Sequence, residues 1–264
     1  MHRIERNDDT DFALKILSWI FRAQRTLKMQ ELLEALAVQD TDTQLDREFC
    51  ADPHDIIDCC QSLVTHDERT DSVQFAHSTV QQFLASAFAP PLLTHVALAR
   101  TCLTYLNFEV FESGPCGTRE TLDKRIRDYR LSEYASKYWS FHTQRSSDDA
   151  CVVRAVWDLL DSETKKDSML QLRSSQENNW SVTYSKGRTP LHILVQAGLE
   201  GICKSWLDLR NGKTVPELNY SDKFRSSAKQ SQRPRSRRMH ASSFGHRSGR
   251  CQASDKVWLR SSDS

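Results

Sequence analysis

The residue in this sequence best placed to do chemistry is a histidine at a strand-to-helix junction. His77 lies in VQFAHSTVQQFLASAF, residues 73–88, where Val73 and Phe75 alternate with polar residues. Val80, Phe83, Leu84 and Ala87 then recur at helical spacing. A change of apolar period from two to about 3.6 predicts a short strand running into an amphipathic helix. Ser78 or Thr79 is placed to cap that helix. An imidazole at such a corner can pack or cap, or it can meet a ligand.

Other chemistry-bearing residues assemble into nothing stronger. His54, Asp58, Cys59 and His66 fall close together, and His54 with Asp58 at i, i+4 can share a helical face. Cys59 points away from that face and no second ligand cluster follows, so an ordinary capped helix is the better reading. GLEGICKS at 198–205 is the nearest approach to a phosphate-binding loop. Lys204 and Ser205 are correctly spaced from Gly198, but Cys203 stands where the second glycine must let amides wrap a phosphate. GKT at 212–214 has Leu207 where the first glycine belongs. No GxSxG occurs, and no Cys–His or carboxylate pair of catalytic type is evident. The sequence therefore predicts no enzyme, no catalytic or metal-ligating residue and no cofactor.

The elements around His77 follow from patterning. FALKILSWIFRA, with Asp11 as its expected cap, places Phe12, Ile16, Trp19 and Ile20 on one face of a first helix. RTL reads as a short extended link. MQELLEALAV is a second helix, with Glu31 and Glu34 near its start, where acids suit the helix dipole. Residues 39–51 form a loop. Asp52-Pro53 opens a third helix, HDIIDCCQSLV, with aspartate as cap and proline at the first helical position. Leu63-Val64 begins a strand, and a polar turn separates it from Val73–Phe75. Three helices, a two-stranded wing and a following helix describe a winged-helix module.

Downstream, 92–108 is a strongly apolar helix and GPCG at 114–117 breaks the chain. Residues 118–128 are charge-rich and ambiguous. LSEYASKYWSFHT (131–143) is an aromatic helix, read as a core stripe together with Trp157. Asp148 or Asp149 caps CVVRAVWDLL, and a weaker helix spans about 162–172.

Composition separates a folded body from a tail. The net charge is +1, but residues 213–264 hold 12 Lys and Arg against 4 Asp and Glu, leaving the first 212 residues acidic. Apolar residues make up 38% and mean hydropathy is −0.60, which predicts that part of the chain stays outside any core. The tail is rich in Ser and Arg, lacks apolar periodicity, and reads as disordered. Within it, Arg233, Arg235, Arg237 and Arg238 form a basic cluster suited to nucleic acid, an acidic protein or an import receptor. The module itself is a poor groove reader. Residues 1–89 hold 8 basic and 16 acidic side chains, and the third helix opens DPHDIID, whereas phosphate contacts need Lys and Arg. Eight cysteines without a CxxC predict reduced thiols. The N-terminus has no apolar h-region and no run approaches the ~18 residues of a membrane span, so a cytoplasmic protein is expected, nuclear if the tail is an import signal.

Six stretches occur in one order, at similar gaps, in one family. They are ALKILSWIF, TLKMQELLEALAV, DPHDIIDCCQSLV, VQFAHSTVQQFLAS, ALARTCLTYL and LSEYASKYWSFH. Over about 12–143 the chain resembles the winged-helix and following helical region of NACHT-type signalling ATPases with ankyrin repeats, the NLR-like STAND proteins. The module is also named for GPI inositol-deacylase, without any hydrolytic implication, because lipase chemistry is not among these residues. In the family, FxHxSxQEF carries a histidine that contacts the β-phosphate of bound ADP and holds a closed state. The matching residues are Phe75, His77, Thr79, Gln81 and Phe83, with Gln82 where Glu is common. The resemblance implies a nucleotide-sensing role for His77 once an ATPase domain is supplied. No P-loop occurs in these 264 residues, so that domain is expected to be absent from them.

GRTPLHILVQAG at 187–198 resembles the opening of an ankyrin repeat. The resemblance implies that Thr189, Pro190, Leu191 and His192 tie a turn to a first helix, that Gly198 ends it, and that LEGICKSWLDL supplies the second. One repeat cannot bury its own faces. MHASSFGH at 239–246 is similar to the repeat's LH-x-A-S-x-x-GH, but His240 lies 48 residues after His192, against a repeat of about 33. A degraded repeat, or a truncated or mis-spliced gene model, is expected there.

The expected fold class is mainly α. A frayed N-terminus (1–10) precedes a winged helix of three helices and a small β wing (11–90). A helical connector (91–180), a single ankyrin-type helix pair (185–212) and a basic disordered tail (213–264) follow. The expected function is non-enzymatic regulation and protein interaction. Its expected partner is a NACHT-type nucleotide-binding domain or a full-length relative; nucleic acid is expected only through the tail.

Overall fold

Apolar residues spaced three and four apart make the first helix and fix the face that it buries. The structure, a computed structural model, describes residues 10–86, 94–146, 149–177 and 184–210. Helix α1 (Thr10–Arg22) buries Ala13, Ile16, Leu17 and Trp19, with Phe12 and Ile20 partly covered beside them. Asp11, the expected cap, is an exposed residue inside the first turn.

The extended link after α1 is a strand. β1 (Leu27–Lys28) pairs antiparallel with β3 (Ser72–Phe75), which pairs antiparallel with β2 (Val64–Asp67), in the order β1-β3-β2. The wing is therefore part of a three-stranded sheet, not a two-stranded one. Leu27 sits opposite Val73, and Val64 opposite Phe75. A strand of two residues is too short to show alternation, so its pairing is set by tertiary context.

Helix α2 (Met29–Ala37) follows β1 directly. Helix α3 (Pro53–Cys59) starts as its sequence dictates: the Asp52 side chain accepts from the His54 amide at 2.8 Å, and Pro53 occupies the first turn. It ends earlier than its apolar spacing predicts. Gln61 and Ser62 take positive φ values of 48° and 66°, turning the chain into β2. Neither is Gly or Asn, so no turn signal marked the stop.

Helix α4 (Ser78–Leu84) leaves β3 through the His77 corner. It ends at Leu84, with Ala85 as its C-cap, short of the expected continuation; Ala87 lies outside the described residues. The connector comprises α5 (His95–Leu106), α6 (Arg119–Asp128), α7 (Ser132–Gln144), α8 (Ala150–Asp161) and α9 (Glu163–Glu177). The ambiguous 118–128 stretch is a helix: Thr118 caps α6, its hydroxyl accepting from the Thr121 amide at 3.3 Å. Asp149, one of the two expected caps, caps α8 by accepting from Val152 at 2.9 Å. Helices α10 (Pro190–Gln196) and α11 (Glu200–Arg210) close the described chain.

One hydrophobic core runs from Ala13 on α1 to Ile202 on α11 without a break. Trp19, Tyr105, Phe108, Phe111, Tyr134 and Trp139 are its largest fully buried side chains. Tyr105 packs on Phe108 at 4.9 Å between ring centroids, and Trp19 meets Tyr134 edge-on at 6.0 Å. The protein is mainly helical with a small antiparallel sheet, the composition of a winged helix carried on a helical body.

Candidate functional site

His77 stands where a strand stops and a helix starts. Its backbone is extended, with φ −147° and ψ 145°, and its own ring caps α4. Nδ1 accepts from the Thr79 amide at 3.3 Å and lies 3.0 Å from the Thr79 hydroxyl. This corrects the expectation that Ser78 or Thr79 is the cap. With Nδ1 accepting, the ring proton belongs on Nε2, which leaves an N–H donor on an exposed side chain. Thr79 is thus the residue that fixes the tautomer.

The neighbours divide between core and surface. Leu84 is buried, Phe75 and Val80 are partly covered against the core, and Phe83 is 38% exposed. Gln81 and Gln82 are exposed on the same short helix. The corner therefore presents an imidazole, two amides and a phenyl ring outward.

Helix α3, the groove-reading position of this architecture, presents Asp52, Asp55 and Asp58 to solvent. His54 is also exposed there, whereas His66 turns to Asp71, with Nε2 3.0 Å from Oδ1. Cys59 donates to the Ile56 carbonyl at 3.3 Å. Among the described residues, no three His, Cys, Asp or Glu side chains converge as metal ligands. Three helices, a short antiparallel sheet and this corner are the parts of a winged helix.

Residues 5–98 match the family model described as GPI inositol-deacylase, winged helix domain. The match covers about a third of the chain and takes in α1 to α4 and the start of α5. No curated protein and no solved structure matches the chain. No helix among the described residues is long and apolar enough to cross a membrane.

Beyond the winged helix, the second predicted group folds as a capped helix pair. The Thr189 hydroxyl accepts from the His192 amide at 3.4 Å and meets His192 Nδ1 at 2.8 Å. Pro190 takes the first turn of α10, and Leu191 is partly buried behind it. Gly198 has a φ of +65°, which ends α10 and starts the turn to α11. Ile193, Leu194, Leu199 and Ile202 are buried, while Val195 is 65% and Leu207 42% exposed. The pair rests on the connector. Gln144 at the end of α7 donates to the Ala197 carbonyl at 2.5 Å, and Trp206 lies parallel to Trp157 of α8 at 6.3 Å. Cys203, Lys204 and Ser205 sit within α11. Arg233, Arg235, Arg237 and Arg238 lie outside the described residues.

Two buried polar assemblies escaped the sequence reading. Glu34 is 4% exposed and accepts from the Tyr105 hydroxyl at 2.5 Å and the Leu131 amide at 3.0 Å. Glu31 is 2% exposed, forks onto Arg25 at 2.6 and 2.7 Å, and also accepts from the Lys28 amide at 2.9 Å. In the second assembly, the Gln24 amide donates to Tyr134 Oη at 3.2 Å, and Tyr134 Oη is 2.9 Å from His142 Nε2. His142 Nδ1 is in turn 2.9 Å from His95 Nδ1. Burial, then His95, Arg145 and Arg22, push the His142 ring down to about 3. The one signal available was spacing: Tyr134, Tyr138 and His142 recur at i, i+4 and i+8 on one helix.

Proposed function

We propose that the chain is a non-enzymatic regulatory and protein-interaction unit of a NACHT- and ankyrin-type signalling ATPase. In the intact family such a region couples the nucleotide state of the ATPase to the repeat sensor. The observation that carries this reading is the exposed His77 corner of the winged helix, with its Nε2–H free of the cap that Nδ1 makes. A nucleotide-binding domain docked there would meet a donor already held in one tautomer, together with the exposed Phe83 ring.

The acidic face of α3 favours a protein partner over a duplex, because sequence-independent DNA affinity comes from neutralised phosphates. The capped pair α10–α11 supports its reading as the opening repeat of an ankyrin array, attached through Gln144 and Trp157. The test is capture of a NACHT-type nucleotide-binding domain by the immobilised chain, with and without ADP. Micromolar binding that ADP strengthens supports the proposal; no binding at that concentration removes it.

A second reading rests on the tail. The excess of Lys and Arg in 213–264 suits nucleic acid or an acidic protein. It is distinguished by deleting 213–264, which abolishes such binding and leaves capture of the ATPase domain intact.

A further inference from the structure

The buried hydrogen-bond chain joins three parts of the fold. Gln24 lies in the link between α1 and β1, Tyr134 and His142 lie on α7, and His95 opens α5. Tyr134 and His142 are fully buried, whereas His95 reaches partly into solvent.

The donors can be ordered. The Gln24 N–H donates to Tyr134 Oη. The Tyr134 hydroxyl has His142 Nε2 as its acceptor, and donating there leaves no buried hydroxyl proton stranded. His142 then carries its proton on Nδ1 and donates to His95 Nδ1, and the His95 proton sits on Nε2. Two imidazole nitrogens 2.9 Å apart have room for one proton between them. A second proton on His95 sits on Nδ1 and turns that bond into two N–H groups pointing at each other.

The surroundings work in the same direction. Arg22 from α1 and Arg145 from the end of α7 both act against a positive charge on His95 and His142. Cys102 of α5 and Tyr138 of α7 face Tyr134, and Arg25 lies 5.3 Å over its ring. Arg25 is itself held by the Glu31 carboxylate. Among the described residues, no carboxylate is one of the groups that act on the two histidines.

We propose that the Gln24–Tyr134–His142–His95 chain is a pH-sensitive latch between the winged helix and its connector. At neutral pH it holds α7 against the α1–β1 link and the start of α5. On acidification His95 gains a second ring proton, loses its bond to His142 and turns outward, and the buried end of the chain loses its order. Acid thereby loosens the winged helix from the helical body that carries the α10–α11 pair.

The test uses the full chain. Nitrogen-15 spectra of the histidine side chains at pH 7.5 read the tautomers, with the Nδ1–H form expected for His142 and the Nε2–H form for His95. Amide exchange at Gln24 is then followed from pH 7.5 to 5, corrected for intrinsic rate and referenced to the Ala76 amide, which is bonded to the Leu63 carbonyl in the wing. Opening should rise about tenfold per pH unit below ~6.5 for each histidine released, so up to about a hundredfold with both. In His95→Gln, whose amide oxygen accepts without titrating, the rise should fall to about tenfold. Exchange at Gln24 that ignores pH, an undiminished rise in His95→Gln, or both rings in the Nε2–H form overturns the proposal. The wild-type tautomer measurement decides the matter even if the variant does not fold.

Discussion

The Tyr105 hydroxyl donates to Glu34 Oε2 at 2.5 Å across 71 residues of sequence, and both side chains are buried. The same carboxyl oxygen accepts from the Leu131 amide at 3.0 Å. One side chain of α2 thus ties the winged helix to α5 and to the start of α7. Burial first, and the Glu34 carboxylate second, push the Tyr105 phenol well above its usual range, so it stays a donor.

Removing that acceptor should be costly. Glu34→Ala strands a buried hydroxyl and a buried N–H, and should destabilise the protein by about 3 kcal/mol. Tyr105→Phe removes one donor and leaves the Leu131 bond, so about 1–2 kcal/mol is expected. Urea unfolding measures both. A loss under about 0.5 kcal/mol for Glu34→Ala would place it with ordinary surface changes and contradict the clamp.

Global stability should depend on acid through His142 and His95. Both rings are held below their ordinary value by burial first and by neighbouring positive groups second. Above ~6.5 folded and unfolded chains share the neutral form, so neither ring makes stability change with pH. As pH falls below ~6.5 the unfolded chain takes up protons that the folded chain resists, and stability declines. For His142 the decline continues toward about 3, where the folded ring titrates. Thermal unfolding from pH 8 to 4 should show a plateau and then a falling midpoint. In His142→Gln the fall should be shallower. An identical slope in that variant argues against the assignment.

Two glycines of the helix pair should respond with opposite sign. Gly198 has φ +65°, and a Cβ there would lie 2.9 Å from Gln144 Nε2, the donor to Ala197. Gly198→Ala should cost about 1–2 kcal/mol from the left-handed backbone, and it should disturb the docking of the pair on α7. Gly201 lies in α11, and a Cβ there meets nothing within 4 Å. Gly201→Ala should stabilise by about 0.5–1 kcal/mol. Differential scanning calorimetry of the two variants checks the signs, and equal shifts would refute this account of the turn.

Nucleic acid should bind the tail alone. Titration of duplex DNA into the intact chain should give affinity that falls steeply with salt, and the chain lacking 213–264 should give none. Asp52, Asp55 and Asp58 face solvent on α3. Retained affinity in the truncated chain would return the winged helix to consideration as a groove reader.

Local signals made most of the helical frame legible. Asp52-Pro53 announced α3 because a cap and a proline at the first turn are read from two adjacent residues. For α10 and its end, it is the resemblance of TPLH and Gly198 to an ankyrin repeat that points to them. What stayed hidden depended on distant residues. β1 exists because Leu27 and Lys28 pair with Val73 and Ser72, and two residues carry no period of their own. The end of α3 lay in the φ values of Gln61 and Ser62, residues that seldom mark a left-handed turn. Glu34 read as a dipole partner because its neighbours Tyr105 and Leu131 are far away in sequence. His142 read as part of an aromatic stripe, since its link to His95 spans 47 residues. At the candidate site the position of His77 was legible. Its capping role was not, because histidine is an uncommon cap and the hydroxyl residues beside it looked better suited.

The role of the His77 corner is decided by one titration. A NACHT-type nucleotide-binding domain is titrated into the chain by calorimetry, as apo and ADP-loaded forms, against wild type and His77→Ala. Micromolar affinity is expected for the ADP form, weaker affinity for the apo form, and about tenfold loss in His77→Ala, the worth of one charge-assisted hydrogen bond. The variant should unfold within about 1 kcal/mol of wild type, since it loses a single cap. Equal affinity of wild type and His77→Ala for both forms, or no heat of binding at all, would remove His77 from any nucleotide-sensing role.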